Sequence, residues 1–321
     1  MKNYTFVDYA TQAYCLLVGV LILLFHNGTI PAWRWLVLCH GACLLLIHGL
    51  VQWQARRRGD RVLDFFRHFY PMLLYAWFFR ETGWVNRMFF TNYLDPQVIG
   101  FEQRLFGGQP SVLFMMKLPW LFVSEVFYAA YFSYYVMIGG VALALFLRNR
   151  CQFFHYVSVL SFVFYICYLT YIIFPVIGPP VFFAAFKGYV LPPEVLQLAP
   201  VHVYPQAVQA GIFFRLMAWI YRGFESPGAA LPSSHVAVAL CTLFFSFRYL
   251  RPIRYVHLGA VIILCLSTTY CRYHYGVDVL SGLVTAAVLV PLGNWLYFKS
   301  LPRLRAEVAP SAVGATQAKP G

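Results

Sequence analysis

An all-α bundle of membrane-spanning helices is the fold class this sequence predicts, and three observations predict it. Of 321 residues, 61% are hydrophobic and only 11% are charged, whereas a soluble domain is nearer 45–50% apolar and about 25% charged. So little charge does not cover a water-facing surface. The apolar residues gather in about eight runs, most of them near the ~20 residues that cross a bilayer. Lys and Arg fall mainly in short connections between those runs. The net charge of +13 is therefore read as a topology signal and not as a nucleic-acid footprint.

The first run covers about 9–26 and, with no small-residue cleavage site behind it, reads as a retained helix and not a removed signal peptide. The second covers 33–53 and is followed by Arg56, Arg57, Arg58 and Arg61. A third, 63–79, is less pure because it holds Arg67, His68 and Pro71, and it ends at Arg80. From 81 to 119 the chain is mixed, polar and aromatic, which predicts short amphipathic helices at the interface. The fourth and fifth spans cover 120–147 and 153–174. A proline-containing connection, 176–231, is too irregular to be one element. The last three spans cover 233–249, 255–270 and 278–298, and the Ala/Pro/Gly-rich tail predicts disorder.

The organisation that follows is a two-helix N-terminal segment with its basic loop (1–62), a six-helix core (63–300) and a disordered tail (301–321). The N-terminus, 54–67, 148–150, 248–254 and 299–305 hold fourteen Lys and Arg and fall on one side of the membrane. The positive-inside rule makes that side cytoplasmic, together with both termini. His235, His274 and Arg80 then share the outer side. The cysteines show no CxxC pair, which argues against a disulfide framework or zinc site. Neither a metal nor a cofactor is expected.

Two stretches carry chemistry: Leu231-Pro232-Ser233-Ser234-His235 and Arg272-Tyr273-His274-Tyr275-Gly276-Val277-Asp278. His274 and Asp278 are one helical turn apart. Phosphoryl transfer to a histidine needs a neutral imidazole, a group that orients it, a cationic cradle and an acid for the leaving alcohol. His274 and Asp278 suit the first two roles and His235 the last. Ser233 and Ser234 open a helix whose free N–H groups favour phosphate. Arg80, Arg87 and Arg272 are the candidate phosphate ligands, since the guanidinium fork matches phosphate. A lone histidine at a helix end also reads as a cap, and Arg80 as a snorkelling end residue. His40 and His48, eight apart on the second span, could be read as haem ligands or as packed polar residues, and a transporter would also explain isolated charges in spans.

Pro232-Ser233-Ser234-His235 resembles the PSGH-type second signature of the type 2 phosphatidic acid phosphatase superfamily of membrane lipid phosphatases and phosphotransferases. His274-x3-Asp278 resembles the core of its third signature, SR-x5-H-x3-D. The resemblance implies that His274 is the nucleophile, His235 the acid and Asp278 the orienting group. It further implies a phosphohistidine intermediate, no metal, and membrane lipid substrates. Thr268 stands where the third signature has Arg, and Arg80-x6-Arg87 matches the first signature, K-x6-RP, only loosely. These departures, with Leu94-Asp95-Pro96, Phe106-Gly107-Gly108-x-Pro110 and Gly178-Pro179-Pro180, are similar to the branch containing inositol phosphorylceramide synthases. That branch transfers a phospho-headgroup to a lipid alcohol, whereas water as acceptor would make a phosphatase. The setting expected is a bacterial inner membrane with the site facing the periplasm.

Overall fold

The computed structural model describes residues 3–57, 59–182, 204–224 and 226–308. Thirteen α-helices are present among them, with one isolated bridge and no strand. They are α1 (Phe6–Phe25), α2 (Trp33–Arg56), α3 (Arg61–Val85), α4 (Asp95–Phe106), α5 (Pro110–Lys117), α6 (Leu121–Arg148), α7 (Arg150–Ile173), α8 (Pro179–Phe182), α9 (Gln206–Gln209), α10 (Ile212–Phe224), α11 (Ser234–Tyr249), α12 (Arg254–Tyr270) and α13 (Gly276–Val308). Each of the eight apolar runs forms a helix. Six helical segments, 6–25, 33–56, 121–148, 150–173, 251–270 and 276–301, are long and apolar enough to cross a membrane. The protein is an integral membrane protein built as an all-α polytopic bundle.

The two remaining runs fall short for different reasons. α11 has only 16 residues. It is surrounded by α6, α7, α12 and α13 and buries its apolar face among them. α3 is long but carries Arg61, Asp64, Arg67, Arg80 and Glu81. Its inner charges are paired with the N-terminal helices. Arg67 forms a buried ion pair with Asp8 of α1, and Glu81 bonds His40 of α2 at 2.9 Å.

The helix starts are locally encoded. Asp60 accepts from the amides of Val62 and Leu63, and Asn149 from those of Cys151 and Gln152; both are N-caps that satisfy otherwise orphaned N–H groups. α10 borrows its cap: Glu125 of α6 accepts from the amides of Ile212, Phe213 and Phe214. α7 is the central helix, apolar all round and the most buried of the spans, as a helix without a polar face must be.

Two ends differ from the sequence reading. α3 runs through Arg80 to Val85, where the Asn86 amide closes the last turn by donating to Thr82 O at 3.0 Å and the Asn86 side chain ties that end to Pro227 O. α13 continues to Val308, past the expected end of the last span; residues 309–321 of the expected disordered tail lie outside the described residues. The mixed stretch 81–119 forms α4 and α5, as its pattern predicts. Of the 176–231 connection, residues 183–203 are outside the described residues. Its two ends are tied together by a parallel bridge between Val176 and Ala229, with Ala230 N donating to Val176 O at 2.9 Å.

Candidate active site

α11 begins at the Pro232-Ser233-Ser234 turn. The Ser233 hydroxyl accepts from Val236 N, the Ser234 amide donates to the Tyr171 hydroxyl, and that hydroxyl donates to Pro232 O at 2.8 Å. The Ser233 amide donates to Asp278 O at 3.2 Å, which ties the start of α11 directly to α13. This contact depends on Gly282, where a Cβ would stand 2.7 Å from Ser233 O and 2.8 Å from Val236 Cβ. His235 follows in the first turn of α11, half-buried.

His274 sits in the 271–275 turn between α12 and α13. Arg272 adopts the left-handed conformation (φ 64°), and the amides of Tyr273 and His274 both return to Thr268 O, so the turn reverses directly after α12. α13 then starts with half of a capping box: the Asp278 carboxylate accepts from the Tyr275 amide three residues earlier, at 2.9 Å. The same carboxylate oxygen lies 3.2 Å from His274 Nδ1, and Ala230 O lies 3.0 Å from it.

Those two acceptors decide the tautomer. A carbonyl and a carboxylate both need a donor, so Nδ1 of His274 carries the proton and Nε2 keeps its lone pair. Nε2 faces His235 Nδ1 at 3.2 Å. On its far side, His235 Nε2 meets the Tyr131 hydroxyl at 3.0 Å. The two histidines and Ser234 line a cavity of about 510 Å³ whose other walls are mostly aromatic and aliphatic, including Tyr75, Phe79, Tyr134, Phe164 and Tyr168.

The structure thus brings together His235, His274 and Asp278, with Ser234 on the cavity wall and Ser233 behind it as the helix cap. Arg80, Arg87 and Arg272 are not among the cavity-lining residues. Arg80 is on α3, half-buried. Arg87 accepts at its backbone carbonyl from Asn27 Nδ2. The Arg272 guanidinium is buried over the Tyr204 ring, 5.3 Å from its centroid. His40 and His48 are each engaged elsewhere, His40 with Glu81 and His48 Nδ1 with the Tyr4 hydroxyl at 2.7 Å.

Several supporting residues lie outside the two signature stretches. Asp95 and Glu102 stand two turns apart on α4 and hold the loops that carry the site. Asp95 accepts from the amides of Ile177 and Gly178 and from the Tyr275 hydroxyl, all within 2.8–2.9 Å. Gly178 has φ +95°, which glycine adopts freely. Glu102 accepts from the Gly276 and Val277 amides at the start of α13. Burial pushes the Asp95 carboxyl up to about 6. Burial, followed by the nearby Asp278, pushes Glu102 up to about 8. The signal for both was present as two acids seven residues apart on an amphipathic segment. Tyr131 had none, lying among other aromatic residues of α6.

A model of the PAP2 superfamily matches residues 96–292. The chain belongs to the PAP2 superfamily. The match spans α4 through most of α13 and so contains every residue of the His235–His274–Asp278 cluster, as well as Asp95-paired loops, Glu102 and Tyr131. Membership gives the PAP2 chain its general character, a phosphatase-type enzyme of lipid phosphates. No curated protein and no solved structure matches it.

Proposed function

We propose that the chain is a membrane-embedded lipid phosphate phosphatase or phosphotransferase that works without a metal, through a phosphohistidine on His274. One observation carries the reading: His274 Nε2, left bare because Nδ1–H is held by Ala230 O and Asp278, sits 3.2 Å from His235 Nδ1 at the cavity wall. In the first half-reaction Nε2 attacks phosphorus, the bond to the leaving oxygen breaks, and protonated His235 gives that oxygen its proton. Asp278 stabilises the positive charge that the His274 ring gains as the P–N bond forms. In the second half-reaction, neutral His235 takes the proton of the acceptor hydroxyl, whose oxygen displaces Nε2 from phosphorus.

Phosphate oxygens are placed at the N-terminus of α11, with Ser233 and Ser234 in its opening turn. Of the arginines, Arg272 is the nearest to the nucleophile in sequence, two residues before His274; Arg80 and Arg87 are proposed as an outer cationic frame. The His235 side is proposed to face the periplasm of a bacterial inner membrane, which the distribution of Lys and Arg supports.

A second reading is transfer to a lipid alcohol, as in inositol phosphorylceramide synthases. The mainly apolar cavity next to both histidines favours it, because an acceptor with a hydrocarbon chain would be held there better than water. The deciding experiment supplies a panel of labelled phosphatidic acid, phosphatidylglycerol and phosphatidylinositol to the purified protein, with and without ceramide or diacylglycerol, in the presence of EDTA. Free phosphate indicates hydrolysis and a new phospholipid indicates transfer. A base-stable, acid-labile label on the protein that disappears in His274→Ala is the expected intermediate. Turnover undiminished in that variant, or abolished by EDTA, would count against the mechanism.

A further inference from the structure

His235 has two ring nitrogens, and the mechanism uses only one. Nδ1 faces His274. Nε2 is held by a group outside both sequence signatures, the Tyr131 hydroxyl of α6, at 3.0 Å. Tyr131 is fully buried and is itself fixed. Its hydroxyl lies 2.5 Å from the Tyr221 hydroxyl of α10, and its ring is 4.8 Å from that of Tyr273, the neighbour of His274. Tyr221 in turn stacks on Tyr273 with centroids 3.8 Å apart. One phenol therefore connects α6, α10 and the 271–275 turn at the back of His235.

Resting on the phosphohistidine reading, we propose that Tyr131 is the positioning residue of His235: by occupying Nε2, its hydroxyl makes Nδ1 the nitrogen that gives and takes the transferred proton. A hydroxyl suits this place because it can either donate or accept. In the substrate-free site His274 Nε2 is bare, so His235 Nδ1 is the donor between the two rings, already aimed at the nucleophile. With His235 protonated, Nε2–H donates to the Tyr131 oxygen, and the Tyr131 proton turns to Tyr221. The Nδ1 proton passes to the leaving oxygen as the P–O bond breaks. His235 is then neutral with its remaining proton on Nε2, still held by Tyr131, and Nδ1 is bare. The acceptor hydroxyl returns a proton to Nδ1 as its oxygen bonds phosphorus and the P–N bond breaks. Tyr131 gains and loses no proton over the cycle.

The titratable groups around His235 are Tyr131 and Tyr134 on α6, Tyr171 on α7, Tyr221 on α10, Tyr273 and His274 in the turn, and Asp278 on α13 behind His274. The ordinary tyrosine pKa is about 10, so these five phenols keep their protons across pH 5–9 and add no charge beside His235 over that range. Removing the phenol oxygen leaves a buried imidazolium N–H without an acceptor. A hydrogen bond to a charged group is worth more than a neutral one, so the protonated form of His235 is weakened more than the neutral form.

The test is Tyr131→Phe in the full-length protein, assayed on whichever phospholipid of the panel the wild-type chain turns over. The expected result is a kcat about 10–100-fold lower with KM within about twofold. The alkaline limb of the kcat profile, where His235 loses its proton, should move down by about one pH unit. A purely structural role would lower the amount of folded enzyme and leave that limb in place; that outcome, or a kcat within about twofold of wild type, overturns the proposal. Incorporating 3-fluorotyrosine at position 131 keeps the shape and weakens the acceptor. It should move the limb the same way by less, and an unmoved limb there also counts against the proposal. His274→Ala separates the two levels. If that variant keeps wild-type activity, or if the wild-type chain turns over no member of the panel, the phosphohistidine reading fails and the role of Tyr131 falls with it. If His274→Ala is inactive while Tyr131→Phe is unaltered, the Tyr131 role alone is wrong.

Discussion

Among the described residues, two histidine–carboxylate pairs have both partners buried, and they have little else in common. His40 and Glu81 meet at 2.9 Å between α2 and α3, with the His40 ring parallel to that of Phe78. Neither lines the cavity. His274 and Asp278 meet at the longer distance of 3.2 Å, four residues apart. Here a second acceptor, Ala230 O, shares the ring nitrogen, and the opposite nitrogen faces His235 beside the cavity. The shorter pair is a fastener between helices, while the longer one holds a lone pair toward a place a substrate can reach. On the proposed mechanism, access and a fixed tautomer, not the strength of the ion pair, set His274 apart from His40.

Substituting members of each pair tests that distinction. The largest effect is expected from His274→Ala, which removes the proposed nucleophile and should lower turnover on the order of 10⁴-fold or more while the protein still elutes as a folded species. Asp278→Asn keeps the shape but not the charge that orients and stabilises the ring. It should lower kcat about 10²–10⁴-fold, with phosphohistidine accumulating more slowly in a single-turnover experiment. His40→Ala should do the opposite. It leaves the Glu81 carboxylate buried without its partner and should lower stability by about 3–5 kcal/mol, read as thermal unfolding in detergent, while kcat of the surviving folded protein stays within a few-fold.

The smallest effect is expected at α4. Glu102 ordinarily titrates near 4.5 and is pushed up to about 8 in the folded protein by burial and then by Asp278. The folded state therefore prefers the protonated acid: this contribution to stability is fully present below pH 4.5 and is lost as pH rises to about 8. Asp95, pushed up to about 6, adds to the same slope over its lower part. Thermal melts should give a lower Tm at pH 8 than at pH 5, and Glu102→Gln should flatten that difference by roughly 2–4 °C. A Tm difference unchanged in the variant would remove Glu102 from the account.

The helices were legible because a bilayer imposes one length and one composition on every span, so 9–26, 120–147 and 153–174 could be read from apolar runs alone. His235, His274 and Asp278 were legible because their neighbours are local: a cap at Ser233 and an i, i+4 pair across the start of α13. Asp95 and Tyr275 are 180 residues apart, and Tyr131 and His235 are 104 apart. No periodicity in the chain encodes such meetings. The arginines illustrate the same limit from the other side. Arg272 is two residues from His274, yet its left-handed backbone turns the guanidinium onto Tyr204, a direction that residue type and spacing do not reveal.

The pairing of α3 with α1 and α2 bears on how the chain enters a membrane during synthesis. Arg67 and Glu81 would each oppose insertion of α3 by about 2.5–3.5 kcal/mol at the centre of an isolated span. Their partners, Asp8 and His40, lie on the two helices made before it. The N-terminal hairpin is thereby expected to act as an escort. It presents a carboxylate and an imidazole to the incoming helix, so that α3 can integrate as the third member of a group when it could not integrate well alone. A chain begun after residue 60 would keep every residue around His274 and still be expected to arrive in the bilayer with its first helix stranded.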